Sequence, residues 1–127
     1  MKYILDTHAL IWLIESSPKI SSKIKKEMKN PSNLIFLSSV SLWEIAIKTG
    51  LGKLELKMPF IKLLKDLKNT NINILQIENS YLTGLSVLPK IHKDPFDRLI
   101  ISTAIIENLT IVTADENIRK YGVSCVL

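Results

Sequence analysis

The stretch KYILDTHALIWLIE, residues 2–15, places a short apolar segment directly before a longer one whose apolar residues recur at helical spacing. This pattern predicts a strand at 2–5 followed at once by a helix at 7–15. The succession is repeated along the chain, which predicts further strands at 34–38, 72–75, 110–113 and 123–127, and further helices at 19–30, 41–48, 60–69, 79–88, 95–108 and 115–120. Such alternation predicts an α/β fold, a three-layer α/β/α sandwich around a mostly parallel central sheet.

Length and composition bound the kind of protein. The 127 residues are 46% hydrophobic with only 4 Gly and 5 Pro, which argues against disorder, and we expect one domain over residues 1–127. The single cysteine, Cys125, excludes an intrachain disulfide and a cysteine-based zinc site. No apolar run approaches the roughly 20 residues of a bilayer span, and residues 1–15 lack a signal-peptide cleavage pattern. We therefore expect a cytoplasmic protein with no membrane association.

The charge is basic, with a net charge of +5 and a pI of about 9.4. Lysines cluster in 19–29 and 53–68, at spacings typical of solvated helix faces. An excess of positive charge favours binding to polyanions such as nucleic acid, but it does not prove that this protein binds one.

Acidic residues follow the predicted strands. Asp66 lies inside a predicted helix, but the other four aspartates fall where a helix begins: Asp6, Asp94, Asp97 and Asp115. Glu44 lies in the first turn of the helix after the strand at 34–38. Since strand-to-helix turns of a parallel sheet meet at one edge, we expect these carboxylates to lie near one crevice.

Two interpretations of these acids are open. Each acid has a local role available: the aspartates as helix caps or dipole partners, and Glu44 in a capping box with Ser41. Taken jointly, carboxylates gathered at one edge repel each other unless a cation compensates. Mg²⁺ or Mn²⁺ prefers such oxygen ligands, and metal-assisted phosphodiester hydrolysis is the chemistry that suits an acidic site in a basic protein.

Four segments in order carry a resemblance: LDTHALIW (5–12), SSVSLWEIAIK (38–48), HKDPFDRLIISTA (92–104) and TIVTADENIRKYGV (110–123). Together they resemble the PIN-domain family, and within it the VapC-type toxins of toxin–antitoxin pairs. The resemblance implies a Mg²⁺- or Mn²⁺-dependent endoribonuclease on a PIN fold. It also implies an RNA substrate such as tRNA, a homodimer, and a cognate antitoxin that blocks the acidic pocket.

Matched by motif, the resemblance implies a catalytic and metal-binding set of four acids: Asp6, Glu44, Asp97 and Asp115. Asp6 and Asp97 are the expected principal metal ligands, and the other two complete the site directly or through water. Asp94 is expected mainly to cap the helix. Hydroxyls that are candidates for hydrogen bonds to the acids or the phosphate belong to Thr7, Ser39 and Thr113.

Several nearby residues receive other assignments. Trp12 and Trp43 are expected in the core, because both lie on apolar helix faces. His8 is expected to pack or cap, and His92 to be a loop residue. Arg98 could contact phosphate or brace a carboxylate, and the sequence does not choose.

Other functions remain open from the residues alone. The first alternative is a non-catalytic RNA- or partner-binding module with a vestigial acidic site. An aspartyl phosphatase is disfavoured, because it needs a second aspartate two residues after the first, where this chain has His8. A nuclease acting on DNA also fits, since the acids recognise a phosphodiester and a metal but no sugar.

Overall fold

The computed structural model describes all 127 residues and contains one five-stranded sheet in the order β3-β2-β1-β4-β5. Every neighbouring pair of strands is parallel. The elements are β1 Lys2–Leu5, α1 Thr7–Ile14, α2 Ser22–Lys29, β2 Leu34–Ser38, α3 Ser39–Gly50, α4 Phe60–Lys68, β3 Ile72–Leu75, α5 Asn79–Val87, α6 Pro95–Glu107, β4 Thr110–Val112, α7 Glu116–Arg119 and β5 Cys125–Val126. The predicted α/β class is confirmed, and the sheet is wholly parallel.

The central strand β1 buries both of its faces, as strands of a parallel sheet do. Tyr3 and Leu5 point into one hydrophobic cluster, and Ile4, between them, points into the other. Helices α1, α2 and α4 cover the first face of the sheet, and α5, α6 and α7 cover the second. This arrangement produces the three predicted layers.

Helix α3 stands at the end of the sheet and reaches both clusters. Ile45 belongs to the first cluster and Val40 to the second. The helix begins at Ser39, because the Ser38 hydroxyl accepts the N–H of Val40. The predicted capping box of Ser41 and Glu44 is wrong, since both side chains point inward from the first two turns.

The carboxyl ends of the central strands are tied together. The N–H of Asp6 donates to the carbonyl of Val112 at 3.1 Å, which fixes the end of β1 beside the end of β4. The last strand is shorter than predicted, because the chain turns at Gly122, whose φ is +71°, and pairs with β4 only at Cys125 and Val126. The longest helix has 13 residues, and none combines the length and apolarity that crossing a membrane requires.

Candidate metal centre

The four predicted site acids lie together at the carboxyl edge of the sheet. They line one pocket of about 360 Å³, whose walls are Asp6, His8, Trp12, Glu44, His92, Asp94, Asp97, Ala114 and Asp115. The loop after β1, the second turn of α3, the start of α6 and the loop after β4 supply the acids. Residues more than 100 positions apart are therefore brought to one place by the strand order alone.

Asp6 serves the fold and the pocket at once. Its Oδ1 caps α1 by accepting the N–H of Ala9 at 2.7 Å, and its Oδ2 accepts the Thr113 hydroxyl at 2.5 Å. The residue is 5% exposed. Burial raises its pKa, against the lowering effect of these hydrogen bonds. The two interpretations of Asp6 are thus compatible, since one carboxylate can cap a helix and line the site.

Asp97 lies in the first turn of α6, and its side chain is 15% exposed. Asp94 Oδ1 accepts the backbone N–H groups of Phe96 and Asp97, which confirms that Asp94 caps α6. Burial, followed by the charges of Asp94, Glu44 and Asp6, raises the pKa of Asp97 to about 7. Repulsion from three neighbouring acids therefore adds to the effect of burial at Asp97.

Glu44 is 2% exposed and held from two sides. The Thr7 hydroxyl donates to its Oε1, and the Lys48 ammonium donates to its Oε2, both at 2.5 Å. Lys48 also lies 3.3 Å from Asp94. Burial lowers the pKa of Lys48, but the hydrogen bonds and charges of both acids outweigh this, so its pKa is raised. Sequence reasoning missed Lys48, although its position four residues after Glu44 on one helix is a recognisable signal.

The two carboxylate oxygens of Asp115 have separate partners, as those of Asp6 do. Its Oδ1 accepts the N–H of Asn117 at 2.8 Å and caps α7, while its Oδ2 lies 2.9 Å from His92 Nε2. The second oxygen is thereby left on the pocket side, where it can act as a ligand.

His92 lies in a loop, as predicted, but its ring is placed among the acids. The side chain is 11% exposed, and Nε2 lies 2.9 Å from Asp115 and 3.0 Å from Asp97. Sequence reasoning missed this role. The available signal was its position directly before the Asp94–Pro95 helix start, at the edge where the acids were expected.

Arg98 pairs with no carboxylate, so the predicted bracing of an acid is wrong, whereas its contact with phosphate stays a prediction. Its guanidinium donates to three carbonyls of the preceding loop, those of Leu88, Pro89 and His92, at 3.2–3.4 Å. The Tyr121 hydroxyl holds the same loop by accepting the N–H groups of Ile91 and His92 and donating to Pro89. This loop is thus pinned from two sides.

The two tryptophans differ from each other. Trp12 is partly buried against the first core cluster, as expected, with His8 at 5.9 Å between ring centroids. Trp43 is 59% exposed and contacts Phe96 edge to face, so its predicted core position is wrong. The physical reason is that Trp43, Ala46 and Ile47 form an apolar face of α3 that packs against neither core cluster and stays exposed.

Two of the three hydroxyl groups predicted to hydrogen-bond to the acids do so. Those of Thr7 and Thr113 donate to acids of the pocket, whereas Ser39 makes no such bond.

The donor chemistry of the pocket fits a hard divalent cation. Five carboxylates line it against one ammonium group, that of Lys48, and one ligand atom of each of His92, Asp97 and Asp115 lies within 4.8 Å of the others. Carboxylate oxygens around a net negative charge are the ligands that a hard divalent cation prefers.

Known proteins resemble the chain over nearly its full length. It is 25% identical over 119 residues to Ribonuclease VapC22 of Mycobacterium tuberculosis, with 93% of this chain and 90% of that protein covered. VapBC2 from Rickettsia felis, solved bound to a DNA fragment from its promoter, superposes with a TM-score of 0.71 at 24% identity, covering 99% and 98% of the chains. A toxin–antitoxin complex from Klebsiella pneumoniae superposes with a TM-score of 0.64 at 18% identity, covering 98% and 96%.

These structures share the parallel sheet described above, which confirms the fold. The family model for the PIN domain matches residues 3–123, and this span includes all five acids of the pocket. The chain belongs to the PIN-domain family.

Proposed function

We propose that this chain is a Mg²⁺- or Mn²⁺-dependent endoribonuclease that hydrolyses RNA phosphodiester bonds and acts as the toxin of a toxin–antitoxin pair. The observation that carries the proposal is the convergence of Asp6, Glu44, Asp97 and Asp115 on one open pocket that lacks balancing positive charge. The name of its relative, Ribonuclease VapC22, supports RNA as the substrate. On this proposal residues 1–127 form a single nuclease domain.

Asp6 and Asp97 would be the principal ligands of the metal, with Asp115 and Glu44 completing its coordination directly or through water. Bound there, the metal supplies polarisation of a phosphoryl oxygen and activation of a water molecule for attack. The residues around the acids fix their direction. Thr113 holds Asp6, and Thr7 holds Glu44, each by a hydroxyl hydrogen bond.

The partner proteins proposed here follow from the relatives and from the charge of the pocket. The Klebsiella pneumoniae relative is a toxin–antitoxin complex, which supports a cognate antitoxin for this chain. A basic side chain of that antitoxin would complement the excess of carboxylates and exclude the metal. The homodimer implied by the resemblance stays a prediction, and so does tRNA as the RNA cleaved.

The test uses the purified chain, freed of any bound antitoxin, with total tRNA and with mRNA. Each RNA is incubated in Mg²⁺ or Mn²⁺, and again in EDTA. We expect discrete fragments that require the metal and that disappear in the Asp97→Asn variant. The matched control is Asp66→Asn, because Asp66 is the one aspartate outside the pocket and pairs with Lys62 on the surface of α4.

Metal-independent cleavage, or equal cleavage by wild type and Asp97→Asn, would refute the assigned site. If wild type and Asp97→Asn both bind RNA or a partner without cleaving, the non-catalytic binding module becomes the better assignment. Cleavage of DNA in place of RNA would retain the acids and change the substrate class.

A further inference from the structure

The histidine ring inside the acid cluster is the feature that the proposed function leaves unused. Three ligand atoms of His92, Asp97 and Asp115 lie close enough together to suggest that the imidazole itself binds the metal. Whether His92 can bind a metal through Nε2 depends on the hydrogen bond that its other ring nitrogen, Nδ1, makes.

The Nδ1 atom of His92 faces a donor. The backbone N–H of Asp94 points at it over 3.1 Å, so Nδ1 accepts and carries no proton. In a neutral imidazole the ring proton is then on Nε2. A histidine that binds metal through Nε2 has its proton on Nδ1 and donates it to an acceptor. Here that proton would meet the hydrogen of the Asp94 N–H.

The Nε2–H group therefore serves as a donor. It is directed at Asp115 Oδ2 at 2.9 Å, with Asp97 Oδ2 3.0 Å from the same nitrogen. The positive end of one N–H dipole thus lies between two carboxylates that would otherwise repel each other. Asp115 retains a further lone pair on this oxygen, so accepting the hydrogen bond does not prevent it from acting as a ligand.

The loop that carries His92 is built to hold this position. Arg98 donates to three of its carbonyls, and the Tyr121 hydroxyl bonds its backbone at three more places. Six side-chain hydrogen bonds thus hold the short connection between α5 and α6. They fix the backbone that carries His92, while the Asp94 N–H and the carboxylates of Asp115 and Asp97 contact the two nitrogens of its ring.

We infer that His92 is a positioning residue of the metal site, which orients Asp115 beside Asp97 by donating its Nε2–H and does not itself bind the metal. The inference rests on the proposed function, since it assumes that these acids bind a divalent ion. Outer donors of this kind typically contribute about 10- to 100-fold to metal affinity.

The first measurement is the protonation of the two ring nitrogens by ¹⁵N NMR. The chain has only two histidines, so a His8→Gln variant assigns the spectrum. In EDTA we expect the His92 proton on Nε2, and we expect it to remain there at saturating Mg²⁺. Loss of that proton on adding Mg²⁺, or a proton on Nδ1 at the outset, would overturn the inference while leaving the metal site intact.

The second measurement is the Mn²⁺ dissociation constant, determined by electron paramagnetic resonance without any substrate. His92→Phe keeps a ring but has no donor, and we expect it to bind Mn²⁺ about 10- to 100-fold more weakly. His92→Gln retains an N–H donor and is expected to recover most of this loss. A glutamine variant as weak as the phenylalanine variant would refute a donor role. Wild type that binds no Mn²⁺ at all would instead refute the proposed function.

Discussion

Replacing Asp97 by asparagine should make the metal-free protein more stable, although it should abolish cleavage. Burial and the neighbouring acids raise the pKa of Asp97 from 3.8 to about 7. Each unit of pKa difference between folded and unfolded states corresponds to about 1.4 kcal/mol, so the ionised carboxylate costs the fold up to about 4 kcal/mol. The side chain is only 15% exposed, so screening by solvent removes a minor part of this.

The pH dependence has a definite sign. Because the folded pKa is the higher one, the folded state retains its proton between pH 4 and pH 7 while the unfolded state loses it. Stability of the wild type therefore falls as pH rises through this window and levels off above about pH 7. Asparagine carries no charge at any of these pH values. The advantage of Asp97→Asn should thus be near zero at pH 4 and reach about 2–4 kcal/mol at pH 8.

The assay is urea unfolding of both proteins in EDTA at pH 4, 6 and 8, with Asp66→Asn as the control. Asp66 pairs with Lys62 on the surface, so its variant should show no growing advantage with pH. Adding Mg²⁺ at pH 8 should stabilise the wild type and leave Asp97→Asn nearly unchanged, because the ion binds only the folded site. A variant no more stable than wild type at pH 8, or an advantage equal at all three pH values, would refute the electrostatic account of the pocket.

Two further predictions concern packing and the ammonium group beside the site. A Cβ at Gly84 would lie 2.4 Å from the Ser102 hydroxyl oxygen, so Gly84→Ala should separate α5 from α6 and lower the free energy of unfolding by about 1–3 kcal/mol. The control is Gly50→Ala, whose Cβ meets nothing within 4 Å, and urea unfolding should show it to be neutral or stabilising. Equal changes in the free energy of unfolding for the two alanine variants would contradict the close packing of α5 on α6. Lys48→Met leaves the buried Glu44 without its cation and should destabilise the protein in EDTA by about 1–3 kcal/mol, with part restored by Mg²⁺. Lys62→Met, which breaks only the exposed pair with Asp66, should cost less than about 1 kcal/mol, and a similar loss in both lysine variants would argue against a special role for Lys48.

Much of the fold could be predicted from the sequence, because its signals are local. The strand at 2–5 and the helix after it follow from hydrophobic period, and Asp94–Pro95 marks the start of α6 by its turn chemistry. The position of the acids at one edge follows from the parallel topology alone.

The rest depends on which surface each helix turns toward the core and on the path of a loop. Trp43 lies on an apolar face, but only the three-dimensional arrangement shows that no layer covers it. The role of His92 depends on Arg98 and Tyr121, which fix its loop through backbone contacts that no spacing pattern records. Asp6 and Asp115 were posed as caps or ligands, whereas the structure shows that their separate oxygens allow both.

The pairing of β1 with β4 has a consequence for the synthesis of the protein. Asp6 and Glu44 are synthesised well before Asp97 and Asp115. Thr113, which holds Asp6, comes later than three of the four acids. Leu5 pairs with Leu37 of β2, and the end of β1 gains its second neighbour when the Val112 carbonyl accepts the N–H of Asp6. A growing chain that ends before residue 97 contains Asp6 and Glu44 with their local partners Ala9 and Thr7, but it lacks the other two acids and the Thr113 hydroxyl. The pocket is complete only after Asp115 has been synthesised, so no shorter nascent chain has the full acidic site.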